Sequence, residues 1–277
     1  MPAKSAFLSD RGVLRVAGAD ATAFLQGLLT NDVEKLGPGA ARYAALLTPQ
    51  GKILFDFLVL RDAGDPVAFL LDCPAEQAAA LVKRLGFYRL RAKVRIEDAS
   101  VELGVVAVWD GAPNPPLTGM VFADPRDARL GLRILAPRAE AVAQGEAPLA
   151  EYEAHRIASG VPKGGADFAY GDIFPHDANM DLLHGLDFDK GCYVGQEVVS
   201  RMRHRAAIRK RIVPLRFAGA APAPGTPVVD GELTVGALGS AAGPLALAQM
   251  RLDRIEDARA GGRALSAGGV KVEVVDR

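Results

Sequence analysis

The chemistry-bearing residues of this chain concentrate in one octapeptide, Lys190-Gly191-Cys192-Tyr193-Val194-Gly195-Gln196-Glu197, followed by the basic run Arg201-Met202-Arg203-His204-Arg205. A thiol, an amine, a carboxylate, an amide and two glycines fall within eight positions. The glycines point to backbone in close approach to something, or at positive φ. The residues from Val194 onward read as a helix, which puts Cys192 at or just before a helix N-terminus. There the helix dipole and the neighbouring Lys190 both favour thiolate over thiol. The alternative is a buried, inert cysteine in a tight turn, a common fate of free cysteine.

Cys192 is the one residue with strong nucleophile or metal-ligand character. Alone it cannot complete a zinc or iron–sulfur site, which takes about four N or S ligands, and no Cys-x-x-Cys pair occurs. A cluster touched by Cys192 must therefore be shared with another protein. Asp172, His176, Asp177, Asp181 and His184 share one stretch, but their spacing matches no metal motif and a solvated loop is the plainer reading. Asp56 lies between Phe55 and Phe57, so strand alternation places it on the face opposite those aromatics. It is either a polar residue on an exposed face or a carboxylate in a central cavity, able to bind an amine or a pterin nitrogen. Arg201, Arg203, Arg205, Arg209, Lys210 and Arg211 occur with no acidic residue among them. They form a solvated face, or an anion site for a polyglutamate tail, a phosphate or an RNA backbone. Cys73, just before Pro74, reads as packing.

The elements that must position these groups follow from length and pattern. A chain of 277 residues, 49% hydrophobic and 24% charged, predicts two or three globular domains. The formal net charge of +0 argues against a global attraction to nucleic acid or an anionic membrane. Two dissimilar cysteines fit a reducing compartment. No signal-peptide core opens the chain, and no apolar run approaches the roughly 18 residues of a membrane span. The expectation is a soluble, cytoplasmic protein.

Arg11 to Ala17 reads as a strand, and Asp20 to about Leu29 as a capped helix. Arg42 to Leu47 and Ile53 to Leu60 form a hairpin around Thr48-Pro49-Gln50-Gly51-Lys52. Val67 to Asp72 is a strand, and the helix after Pro74 runs to Leu85 with Gly86 as its cap. Lys93 to Ile96, Val101 to Trp109 and Leu130 to Leu135 are strands, and Gly111 to Pro116 a loop. Pro148 to Ser159 is a helix, and Gly160 to Asp189 a long ordered loop beside the octapeptide. Ile212 to Phe217 and the short strands after it, with glycine-rich turns, predict a small β-barrel.

The octapeptide resembles the signature of the YgfZ family of folate-binding-fold proteins, which is related to the T-protein of the glycine cleavage system, an aminomethyltransferase. Phe24-Leu25-Gln26-Gly27-Leu28-Leu29-Thr30-Asn31-Asp32-Val33 resembles the family's first helix and following loop. Leu47 to Asp56 resembles its hairpin, Tyr152 to Pro162 the helix before the central loop, and Asn179 an asparagine ahead of the signature. The resemblance implies an α+β fold of three domains in a ring around a central channel, ending in a β-barrel. Residues 1–50 and 110–205 would form the folate-binding-like body, 51–109 a ferredoxin-like insertion and 206–277 the barrel.

The resemblance also implies assembly or repair of iron–sulfur clusters, 4Fe–4S types especially, with effects on enzymes such as a tRNA-methylthiolating one. That is an assembly factor rather than a conventional enzyme. His155-Arg156 and the run after the signature lie closer to the mitochondrial assembly-factor branch. Cys192, Lys190 and Asp56 would be the reactive groups, with Cys192 a shared cluster ligand. Asn31, Asp56, Asn179, Tyr193, Gln196, Glu197, Arg201 and Arg203 would surround a cofactor. The implied cofactors are tetrahydrofolate and a cluster shared transiently with a partner. The implied partner is an A-type iron–sulfur carrier or a client iron–sulfur enzyme, engaged by a monomer without membrane or nucleic acid. A glutamate that engages the pterin in the T-protein falls at Ala158 here, and of a pair of aspartates only Asp56 is kept. These departures favour the cluster role over the alternative, a folate-dependent aminomethyl transferase.

Overall fold

A computed structural model describes residues 3–113, 116–205 and 208–275. Asn114 and Pro115 of the expected loop, and Ala206 and Ala207 after the basic run, lie outside the described residues, as do the side chains of His204 and Arg205. The chain divides into two compact units, one of Met1–Tyr152 with Leu183–Gln196 and one of Glu153–Leu182 with Glu197–Arg277.

The first unit begins with β1 (Lys4–Phe7), β2 (Arg11–Ala17), α1 (Ala21–Gln26), β3 (Ala41–Leu47), β4 (Ile53–Arg61) and β5 (Ala68–Pro74). It continues with α2 (Ala78–Arg89), β6 (Arg95–Asp98), β7 (Leu103–Trp109), β8 (Met120–Ala123), β9 (Leu132–Pro137) and α3 (Arg138–Gln144), and enters α4 (Leu149–Ala158). Two sheets result, in the orders β3-β4-β5-β2-β6 and β1-β7-β9-β8, with all described pairings antiparallel. Leu14, Val16, Leu25, Phe57, Phe69, Leu81 and Leu85 fill the core on the first sheet. Val106, Val108, Ile134 and Ala141 fill that on the second.

Helix α2 runs through Gly86 rather than stopping there, and ends where Leu90 takes a φ of 41°. A helical glycine is unfavourable by only about 1 kcal/mol, less than burying Leu81 and Leu85 on the sheet returns. Helix α1 ends at Gln26 instead of reaching Leu29, for a reason found in the site below. The short or aperiodic elements β1, β8 and α3 carry no sequence signal that predicts them.

The expected domain boundary between residues 50 and 51 does not hold, because it falls in the turn between β3 and β4, whose strands pair from Ala41–Leu60 to Leu47–Ile53. The segment 51–109 is not a separate insertion either. Its strands β4, β5 and β6 pair with β2 and β3, while β7 pairs with β1 and β9.

The two sheets are joined by buried charge. Arg133 on β9 donates from Nη1 to Asp72 Oδ2 on β5 at 2.7 Å and from Nε to Asp124 Oδ2 at 2.9 Å. Its Nη2 donates to the Tyr152 hydroxyl at 3.0 Å. Arg126 donates two bonds to Asp124, at 2.9 and 2.7 Å, and Arg11 Nε donates to Asp72 Oδ1 at 2.6 Å. Burial alone would raise the Asp124 pKa, but Arg126 and Arg133 outweigh it and hold the carboxyl far below its ordinary range.

The second unit carries α5 (Gln196–Arg205) from Glu197 onward, then β10 (Lys210–Phe217), β11 (Pro227–Asp230), β12 (Leu233–Ala242), β13 (Leu245–Arg251), α6 (Leu252–Ala260), β14 (Leu265–Ala267) and β15 (Val270–Val274). The six strands close into a barrel in the order β10-β13-β12-β11-β14-β15. Leu215, Phe217, Val228, Leu238, Ala246 and Met250 fill it, with Ile255 of α6 against them. Closure removes the exposed edges that short strands would otherwise present. The expected barrel strands are present, while α6 and β14 are not announced by periodicity.

Candidate functional site

The octapeptide as far as Gly195 sits in a loop without helix or strand that is fastened to the segment after α1, and Gln196 and Glu197 open α5. Thr30 donates its hydroxyl to Gly185 O at 2.7 Å, and Asp187 N–H donates to Thr30 O at 3.0 Å. Asn31 Nδ2 donates to His184 O at 2.6 Å and to Tyr43 O at 2.8 Å. Asp187 Oδ1 accepts from the backbone N–H groups of Asp189 and Lys190, a side-chain turn that shapes the loop.

Lys190 then turns inward. Its Nζ donates to Gln26 O at 2.8 Å, Leu29 O at 2.6 Å and Asn31 O at 3.0 Å. These are carbonyls at and just beyond the end of α1, where a helix leaves acceptors open and carries partial negative charge. A cation held there explains why the helix stops at Gln26 and the chain turns. The ammonium also lies 5.1 Å from the centre of the Tyr193 ring. Burial lowers the Lys190 pKa to about 8, against the opposing charges of Asp32 and Asp187.

Gly195 carries the conformational load expected of a signature glycine. Its φ is 83°, and a Cβ there would meet Thr48 O at 2.6 Å. Gly191 has nothing within 4 Å of such a Cβ. Tyr193 is buried and Val194 packs against the core of the first sheet. Gly191 and Cys192 are therefore the exposed tip of a loop whose flanks are pinned. Cys73, the other cysteine, is buried, and burial pushes its thiol up to about 12.

This geometry changes the expected local chemistry. Helix α5 starts at Gln196, four residues after Cys192, so the thiol is not at a helix N-terminus. Lys190 spends its donors on carbonyls and acts as a peg rather than as a group turned to the thiol.

Asp56 connects to the same loop through one residue. Tyr43 donates its hydroxyl to Asp56 Oδ2 at 2.8 Å, while its own carbonyl accepts from Asn31. Asp56 is 7% exposed, so the exposed-face reading does not hold. Both faces of β4 are covered over Asp56 to Leu60, where consecutive residues are all buried. Burial first, then the charge of Asp56, raise the Tyr43 phenol well above its ordinary pKa. The loop thus runs by hydrogen bonds from Lys190 and Asn31 through Tyr43 to Asp56.

The remaining expected residues belong to the second unit, apart from Gln196. Glu197 and Arg201 pair with each other at 3.2 Å on the exposed face of α5. Arg203 is exposed on the same helix. Arg211 forms a two-pronged pair with Asp181, so the basic run is not one uniform wall. Asn179 donates from Nδ2 to Ile212 O at 2.6 Å. Ala158 is exposed at the end of α4. Among the described residues no group of three or more His, Cys, Asp or Glu side chains is placed to hold a metal ion.

Sequence pattern gives Tyr43, Thr30 and Gln26 no role, although Gln26-Gly27-Leu28-Leu29-Thr30-Asn31-Asp32 stands out there. Its polar end after an apolar helix was the available signal. Gln26 Oε1 accepts from Val33 N–H at 2.9 Å, and Asp32 Oδ1 accepts from the N–H groups of Glu34 and Lys35. The segment holds its own turn so that its carbonyls face Lys190.

Known proteins match this chain. The model of the GCVT N-terminal domain matches residues 8–112, and that of the CAF17 C-terminal beta-barrel domain matches residues 209–276. The human mitochondrial iron–sulfur cluster assembly factor IBA57 is 35% identical over 284 residues, covering 90% of this chain and 78% of the relative. This chain belongs to the IBA57 family. The mouse IBA57 protein is 38% identical over 262 residues, covering 85% of this chain and 72% of its own length. The IBA57 homologue of Mycosarcoma maydis is 38% identical over 231 residues, and the chain spans 57% of that relative's length. The leaning toward the mitochondrial assembly-factor branch holds. The cytoplasmic expectation does not, since these IBA57 relatives are named as mitochondrial proteins. Aminomethyltransferase T of the glycine cleavage system from Bartonella henselae has the same fold, with a TM-score of 0.77 at 19% identity over 99% of this chain and 85% of its own.

Proposed function

We propose that this protein acts in iron–sulfur cluster assembly by presenting Cys192 to a cluster that a partner protein holds. The observation that carries the reading is the contrast within the octapeptide. Lys190, Tyr193 and Gly195 are fixed by buried contacts, and the Cys192 thiol between them is left exposed on that frame. A single thiol cannot close a cluster site. As a thiolate it can supply one iron ligand while the partner's ligands supply the rest, its proton passing to solvent. The cluster is cargo in this reading. The partner is an A-type carrier or a client iron–sulfur enzyme, with a tRNA-methylthiolating enzyme among the clients.

Tetrahydrofolate fits the described residues less well. Ala158 offers only a methyl where a carboxylate would engage a pterin, and Asp56 already accepts from Tyr43. No step is assigned to folate here, and aminomethyl transfer stands as the second reading, on the strength of the buried Asp56.

Anaerobic mixing with a cluster-loaded A-type carrier tests the proposal. The expected result is a complex whose cluster absorbance and Mössbauer signature depend on Cys192 and vanish in Cys192→Ser. An unchanged complex with Cys192→Ser rules the ligand role out. Saturable tetrahydrofolate binding by anaerobic calorimetry, lost in Asp56→Asn, would move the weight to the second reading.

A further inference from the structure

The end of α2 and the turn after it leave an apolar tip uncovered on the first unit. Leu81 and Leu85 are buried, and Val82, Tyr88 and Ala92 pack against the same core. Phe87 and Leu90 do neither, and are 63% and 89% exposed.

Leu90 is the more telling of the two. Ala92 N–H donates to Arg89 O at 2.7 Å, closing a turn with Leu90 at its second position. There its φ of 41° and ψ of −104° belong to a turn type that glycine dominates. A bulky side chain is strained in that region, and such strain gathers at functional positions. The fold gains little in return, since the leucine stands almost wholly in water.

Cations flank the tip. Between Gln77 and Ile96 the chain carries Lys83, Arg84, Arg89, Arg91, Lys93 and Arg95 and no acidic residue. Arg95 pairs with Glu97, and the other five form no ion pair among the described residues. Lys83 stands one helical turn before Phe87, and Arg89 and Arg91 adjoin Leu90. The positive charge is local, in a chain whose formal net charge is +0.

We propose that this tip docks on the surface of an anionic lipid bilayer. Phe87 and Leu90 enter the headgroup boundary while Lys83, Arg89, Arg91 and Lys93 meet the lipid phosphates. Basic side chains around exposed apolar ones are the pattern of interfacial binding. Side chains this exposed line no groove, so a protein partner would have to bring a pocket to each, whereas a bilayer receives them without one. An RNA strand would satisfy the cations and stack on Phe87, but it offers a leucine no comparable apolar contact. The proposal rests neither on the thiol nor on the cluster reading.

Sedimentation of the whole chain with lipid vesicles is the test. Phosphatidylcholine vesicles with about 30% phosphatidylglycerol should bind it saturably, and phosphatidylcholine alone at least about tenfold more weakly. Leu90→Gly removes the apolar tip and suits the positive φ. Its vesicle affinity should fall at least about fivefold while its denaturant midpoint holds or rises. Phe87→Ala, at an exposed helical position, should weaken binding to a similar degree. Arg91→Glu should cost at least about tenfold, and Lys271→Glu, the same charge change at an exposed position of β15, less than about twofold. No saturable binding to the anionic vesicles would overturn the proposal, as would equal binding to both kinds of vesicle. So would an affinity that Leu90→Gly and Phe87→Ala leave unchanged, or equal losses from Arg91→Glu and Lys271→Glu. Binding of an RNA oligonucleotide without vesicle binding would overturn it too, and give the face to nucleic acid.

Discussion

The Nζ of Lys190 lies 2.6 Å from the carbonyl oxygen of Leu29, a residue 161 positions earlier in the chain. With Gln26 O and Asn31 O it completes a set of three acceptors around one ammonium. Lys190→Met leaves those buried carbonyls without a donor. A loss of about 1–3 kcal/mol is expected, read as a lower denaturant midpoint. Hydrogen exchange should localise the change to residues 26–31 and 184–195, since charge-assisted bonds there fasten the loop. Lys190→Arg should not restore it, because a planar fork cannot point three ways at once.

The same ammonium predicts a pH dependence with a definite sign. Burial lowers its folded-state pKa to about 8, from an ordinary 10.5. In that window the unfolded chain binds more protons at this position than the folded one, so its contribution to stability rises with pH. The contribution is at its lowest below about pH 8 and is complete above about pH 10.5. Chemical denaturation of the unaltered protein and of Lys190→Met at about pH 7.5 and about pH 9.5 should show the stability difference moving in favour of the unaltered protein as pH rises.

Thiol reactivity separates the two cysteines. In the folded protein one thiol should react with Ellman's reagent, and Cys192→Ser should abolish that reaction. Two should react in denaturant, because Cys73 is buried with its thiol pushed up to about 12.

Arg133 is the hinge of the buried charge network. Arg133→Met would strand Asp72 and Asp124 without one of their cations in an interior that excludes water. A cost of about 3–5 kcal/mol is expected by thermal or chemical unfolding. Replacing only the partner hydroxyl, with Tyr152→Phe, should cost about 1 kcal/mol.

How far the sequence leads depends on whether a feature is periodic or relational. The strands β2 to β5 and most barrel strands announce themselves because apolar residues recur at the right spacing. The octapeptide is legible because it mixes residue types that a core does not need. What alternation cannot reveal is burial on both faces: Asp56 lies on a stretch of β4 buried on both sides and meets Tyr43 rather than water. Lys190 reads as a modifier of its neighbour Cys192, because neighbours are all a sequence shows. Its true contacts lie across the fold, on backbone oxygens that carry no residue identity. The domain boundary failed for a related reason, since a turn between two strands looks alike whether the strands share a sheet or part company.

The unit that carries Cys192 is written in two pieces, Met1–Tyr152 and Leu183–Gln196, with a stretch of the other unit between them. Synthesis therefore delivers the acceptors at Gln26, Leu29 and Asn31 long before the lysine that satisfies them. Until residue 190 leaves the ribosome, this unit has a hole in its hydrogen bonding at the place where the thiol will be mounted. The reactive loop is thus the last part of its own unit to be delivered, and a nascent chain cut short before it would lack both the thiol and its fastening.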